Sequence, residues 1–332
     1  MENRKAIIKE LKIDEKICPE ILDMFEIIGC MSNDYLINME ELLQDDFESP
    51  YYENMDIRTS LNLIREFLTR LDIKYLEVFE KSLIDGTFDL HLPEDDLTKR
   101  PTGPEASPKP NASISIPIEY TIQDGATIIH EFFHYLNDNN NLDGTREIYT
   151  EMISIYFELR YYKFLIKKGY NNLYFYNEVF ERINSTCDSA YNLCYTNSIL
   201  DIYHNTGDIN KSNIMFLDKY RDLYKGNVKN MIEFYNDDKF ENYIKYFKID
   251  VSYVMGTLLA FMALKIPKLY DIKMKYINDN IDTLSINDVL NILDVNIEEY
   301  PIWIDRCVKY LKKAIGVVYE ESDMYSGTYG SR

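Results

Sequence analysis

His130-Glu131-Phe132-Phe133-His134 sets two imidazoles four residues apart with a carboxylate beside the first. On a helix four residues make just over one turn, so both rings lie on one face and can converge on one ion. Glu131 projects about 100° away in helical projection, beside the ion and not on it. That is where a base for an activated water belongs. The chain has only four histidines, His91, His130, His134 and His204, and the pentapeptide takes two of them. The plainer alternative is a surface helix with two solvated histidines; His91 and His204 are read as structural or surface residues.

The elements that must position this group are readable from periodicity. Residues 57–85 repeat apolar side chains at three- and four-residue steps, which predicts helix, and Gly86 supplies its stop. Residues 87–92 and 113–120 alternate with period two and predict two half-buried strands. Between them, 93–112 is a long loop rich in proline and charge, either a lid or a disordered connection. Pro117 confines its strand to an edge or a bulge, because it cannot donate a ladder hydrogen bond. Gln123-Asp124 can cap a helix that carries the pentapeptide to about Asp138. A second helix is expected from about residue 143 to Lys168, and almost everything from there to Tyr319 reads as helix, with breaks near Gly207, Gly226, Asn280 and Pro301.

Two histidines leave a catalytic zinc site one protein ligand short. Glu147, Glu151 and Glu158 stand 13, 17 and 24 residues past His134, and spacing alone does not choose among them. Pattern favours Glu151, since Glu151, Ser154 and Glu158 share one helical face at i, i+3 and i+7, with Glu147 the rival. A ligand, a hydroxyl and a second carboxylate would then face the ion together. The second carboxylate is placed to accept the free ring N–H of a ligating histidine.

At these residues the chain resembles the thimet oligopeptidase and oligoendopeptidase F family of zinc metallopeptidases, whose zinc glutamate sits in the same E-x-x-S-x-x-x-E pattern. The resemblance continues backwards through Phe88-Asp89-Leu90, the Lys99-Arg100-Pro101-Thr102-Gly103 loop element and Ser115-Ile116-Pro117-Ile118, and forwards to Asp250-Val251-Ser252-Tyr253-Val254-Met255-Gly256. It implies a mainly α, zincin-like helical metallopeptidase with a small antiparallel β-sheet before the active-site helix. One Zn2+ would be held by His130, His134 and Glu151, with Ser154 and Glu158 behind them, Glu131 as base and Tyr253 as oxyanion donor. A peptide substrate could add to the edge strand at Ser115, Ile116 and Ile118, with Gly103 in the closing loop. Three features depart from the family. Phe133 stands where glycine is usual, no histidine occurs in 243–251, and the helical part before the strands is short.

The chain is expected to form a single domain: a helical part at 1–86, a β-hairpin with a long loop at 87–120, a helical catalytic part at 121–320 and a frayed tail at 321–332. Its formal net charge of -20 would repel a nucleic-acid backbone. Five scattered cysteines without a C-x-x-C pair fit reduced thiols in a cytoplasmic protein, and the first residues lack the apolar core of a signal peptide. The apolar run at 254–264 is too short to cross a bilayer, so no membrane partner is expected. Besides an oligoendopeptidase, three readings survive at this level: a zinc carboxypeptidase, a catalytically weak peptide-binding protein of the same fold, and a helical interaction protein whose pentapeptide is coincidental.

Overall fold

The computed structural model describes residues 7–9, 19–40, 42–43, 53–91, 114–137, 144–208, 211–212, 215 and 240–326, with only the backbone at 144–145, 240–245 and 319–326. The described residues are mainly helical. In order they form α1 (Pro19–Asp23), α2 (Phe25–Glu40), α3 (Ile57–Leu71), α4 (Ile73–Asp85), β1 (Phe88–His91), β2 (Ile114–Pro117), α5 (Ile122–Tyr135), α6 (Gly144–Lys167), α7 (Leu173–Thr206), α8 (Phe240–Ala263), α9 (Pro267–Asp279), α10 (Ile286–Leu293), a 3-10 turn (Ile297–Glu299) and α11 (Tyr300–Ser326).

The periodic stretch 57–85 is two helices. Asp72, extended at φ -166, ends the first, and its carboxylate accepts the Lys74 N–H to start the second. Gly86 closes α4 in the left-handed region at φ 69. The break expected near Pro301 falls just before it, between Leu293 and Tyr300, and Pro301 sits in the first turn of α11, where its missing N–H has no intrahelical partner to lose. That helix also continues through Ser326, so the first half of the expected tail is ordered helix.

The sheet corrects one expectation. Its two strands run parallel, with Phe88 opposite Ile114 and His91 opposite Pro117, so they are neither antiparallel nor a hairpin. Period-two alternation is blind to strand direction. The length of the connection was the better clue, because a parallel pair needs a crossover of a dozen or more residues. The loop 93–112, with Lys99, Arg100 and Gly103, lies outside the described residues.

Helix α6 is the axis of the fold. Ile148, Tyr149, Met152, Ile153, Tyr156 and Phe157 point to several sides of it, yet none is more than 1% exposed. A helix apolar around its circumference has to be enclosed. Helices α5 and α8 flank it, and α7 packs in turn against α8, α11 and α2. The apolar part of α8 is longer than 254–264 suggests. Tyr246–Ala263 is long and apolar enough to cross a membrane, but 72% of it is buried inside the protein, as in a core helix.

Phe133 has its place in this packing. The ring stacks on Phe157 with centroids 4.2 Å apart and meets Tyr75 edge-on at 5.4 Å. It fills the space between α4, α5 and α6, so its bulk is core packing and not a narrowed pocket. Phe133→Ala should lower the unfolding free energy by about 3–5 kcal/mol in urea denaturation. A variant within about 1 kcal/mol of the parent would show that the stack contributes little.

Candidate metal centre

The pentapeptide helix is fixed at its start. Tyr120 turns the chain out of β2 in the left-handed region at φ 59. The Asp124 carboxylate then accepts the N–H groups of Glu119 and Thr121 at 3.1 and 3.2 Å. Asp124 therefore caps from inside the first turn, and Thr121 holds the N-cap position expected of Gln123-Asp124. Helix α5 ends at Tyr135, short of Asp138. Gly125 lets α5 lie against α6, since a Cβ there would stand 2.5 Å from the Tyr161 hydroxyl.

His130 and His134 turn their Nε2 atoms toward each other at 3.0 Å. Glu151 closes the triangle from α6, its carboxylate oxygens 3.5 Å from His134 Nε2 and 3.9 Å from His130 Nε2. In a tetrahedral site with bonds of about 2.1 Å, ligand atoms stand about 3.4 Å apart, so these side chains need to move only a few tenths of an ångström. The donor set fits a divalent cation on a further count. Glu151 Oε2 is buried with no hydrogen-bond partner among the described residues. An orphaned carboxylate oxygen beside two facing imidazole nitrogens is costly unless a cation answers it.

Behind the histidines lies an arrangement only half visible in the sequence. Glu158 Oε2 lies 2.8 Å from His130 Nδ1 and accepts Arg182 Nη2 at 2.7 Å. A carboxylate held by a guanidinium only accepts, so Nδ1 carries the ring proton and the Nε2 lone pair is left for the ion. Arg182 continues to Glu178 at 3.6 Å, and Tyr162 donates to the same Glu178 carboxylate at 3.4 Å. Glu178 and Arg182 were missed because an i,i+4 pair on a long helix looks like a surface salt bridge. Ser154 is fully buried, but its hydroxyl has no partner among the described residues. It lies on the face with Glu151 and Glu158 without the hydrogen bond the pattern suggests.

Electrostatics separate the roles. Burial, with His134 and Arg182 adding, drives the His130 pKa well below 6.5, so the ring is neutral and able to ligate at neutral pH. Burial pushes Glu131 up to about 8, with the negative charges of Glu151 and Glu158 adding and Arg182 opposing. A cation at the triad would draw that value down.

Tyr253 comes from α8 and is 37% exposed. The Glu151 carboxylate is the largest influence on its phenol, which is pushed up to about 12 and stays a donor. Gly256, one turn later, explains the approach: a Cβ there would stand 2.9 Å from Glu151 Cβ and 3.0 Å from the Met152 nitrogen. Only glycine admits α8 this close to Glu151. Glu147, the rival third ligand, is instead paired with Lys248 at 2.8 Å.

The strand residues serve the sheet and the core. Ile116 and Ile118 are buried in the core. The Ser115 hydroxyl ties β2 to β1 through Asp89 Oδ2 at 3.1 Å and His91 Nδ1 at 3.0 Å. Ile114 and Ile118 send their N–H groups to β1. By alternation the Ser115 N–H faces the other edge, where no third strand pairs among the described residues. No protein-family model, curated protein or solved structure matches the chain.

Two outcomes follow. Glu158→Gln, which leaves His130, His134 and Glu151 in place, should weaken divalent-cation binding about 10- to 100-fold in a chelator competition titration; unchanged affinity would remove Glu158 from the site. Asp250, buried on α8 and bonded by Asn192, is pushed up to about 7, chiefly by burial. Between about pH 4 and 7 the unfolded carboxyl has lost its proton while the folded one keeps it, so stability falls as pH rises across that window. Asp250→Asn should flatten that fall in urea melts, and an unaltered pH profile would exclude this origin for it.

Proposed function

We propose that the chain is a zinc-dependent metallopeptidase of the thimet oligopeptidase and oligoendopeptidase F kind, with a zincin-like catalytic region, hydrolysing short peptides in the cytoplasm. The observation that carries this reading is the convergence of His130, His134 and Glu151 on one point, with Glu158 orienting His130. Cys30 and Cys307 are free thiols, in keeping with a reducing compartment.

His130, His134 and Glu151 would hold the ion, which when bound supplies Lewis-acid chemistry to a water and a peptide carbonyl. Glu131, adjacent but outside the ligand set, accepts the proton of the attacking water and returns it to the leaving amine. Tyr253 donates its phenol proton in a hydrogen bond to the carbonyl oxygen as negative charge develops there. The Ser115 N–H presents the substrate backbone with a donor at the β2 edge, and Pro117 offers none. With no histidine in 243–251, Tyr253 carries the donor role on α8 alone.

Glu131→Gln should retain zinc and lose about 10²- to 10⁴-fold in cleavage of a fluorogenic peptide library. Tyr253→Phe should lose about 10²- to 10³-fold in kcat with little change in KM. Folded, zinc-loaded parent protein that cleaves nothing in a broad library would replace this reading with a peptide-binding protein. Mass spectrometry of the products separates internal cleavage from the removal of C-terminal residues that a carboxypeptidase would give.

A further inference from the structure

The protein has 36 basic residues against 56 acidic ones, so a place where cations gather without carboxylates runs against its composition. Such a place lies at the seam of α6, α7 and α11. It is twelve residues along α6 from Glu151, about 18 Å from the metal centre and independent of it.

Lys163 Nζ lies 3.4 Å from the Tyr310 hydroxyl and donates to it. Arg306, one turn earlier on α11, lies beside the same Tyr310 ring. Lys163 Nζ also stands 5.1 Å from the centre of the Phe175 ring and 5.4 Å from that of Tyr310. The Arg306 guanidinium is 5.6 Å from the Tyr310 centroid, and Lys313 Nζ is 5.2 Å from that of Tyr176. None of the three cations has a carboxylate partner among the described residues. Their neighbour Arg160 is matched by both oxygens of Asp271 at 2.8 and 2.7 Å.

Each available compensation is partial. Ring faces and the C-terminal end of α6 offer fractional negative charge, the latter roughly half a unit. The charges acting on Lys163 are those of Arg160, Arg306, Lys167 and Lys313, all of one sign, and with burial they bring its ammonium down to about 8. Arg306 Nε is buried with no hydrogen-bond partner among the described residues, an unused donor in the fork. Tyr310, accepting from Lys163, keeps its own proton to donate.

We propose that Lys163, Arg306, Lys313 and the Tyr310 hydroxyl form a binding site for a small soluble oxyanion, a phosphate group above all. A guanidinium fork supplies directed donors and two ammonium groups supply point charge, the combination that a tetrahedral oxyanion carrying more than one charge satisfies. The phenol adds a neutral donor at the same point.

Calorimetric titration and thermal melts with inorganic phosphate, at low ionic strength and against sodium chloride of matched ionic strength, test the proposal on the full chain. Phosphate should raise the melting temperature beyond chloride. Lys163→Met should weaken phosphate binding at least tenfold while melting no lower than the parent without phosphate, because it removes an unmatched cation. Lys313 is exposed, so Lys313→Gln should fold normally and bind at least threefold more weakly. No phosphate effect beyond chloride, or variants that respond like the parent, would overturn the site.

Discussion

One carboxylate oxygen organises the interior of this protein. Glu158 Oε2 meets both the ring proton of His130 and the guanidinium of Arg182, joining α5, α6 and α7 at one buried atom. A buried ion pair contributes little net stability over an apolar replacement, but removing one member strands the other and costs about 3–5 kcal/mol. Its consequence is therefore geometric. With Nδ1 committed, the His130 ring has one orientation and one tautomer, and Nε2 has one direction in which to ligate.

The second constraint is how closely the helices approach. Gly125 brings α5 against Tyr161 of α6, and Gly256 brings α8 against Glu151. Between these two contacts the histidines, Glu151 and the Tyr253 phenol are brought together from three helices. Phe133 and Phe157 close the apolar side of the same junction with stacked rings. The two histidines and the Phe133 stack, on adjoining faces of α5, fix its rotation, and with it the position of Glu131.

The parts of this arrangement legible in the sequence are those fixed by local spacing. Four residues from His130 to His134 define a face on any helix, and seven from Glu151 to Glu158 define another. Asp124 was legible as a capping residue, though Thr121 holds the cap position. What failed depends on pairing across the chain. Alternation at 87–92 and 113–120 identifies strands without direction, and the parallel register depends on the intervening crossover. Arg182 and Glu178 satisfy an i,i+4 pattern that fits a solvated face equally well, and only the burial of α7 turns them inward. Gly256 carried no signal by itself, because close approach belongs to two helices and not to one.

The charges in the centre constrain the chemistry further. Glu151, Glu158 and Arg182 sum to one negative charge, while burial holds Glu131 largely protonated at neutral pH and also raises the pKa of Glu178. In that state Glu131 is a poor base, because it already carries the proton it would need to accept. A divalent cation among His130, His134 and Glu151 reverses the sign of the local charge and favours the ionised form of Glu131. Loading the ion and releasing the Glu131 proton are then linked steps of one equilibrium. The same carboxyl that burial and the charges of Glu151 and Glu158 hold protonated would ionise more readily with a cation bound at its side.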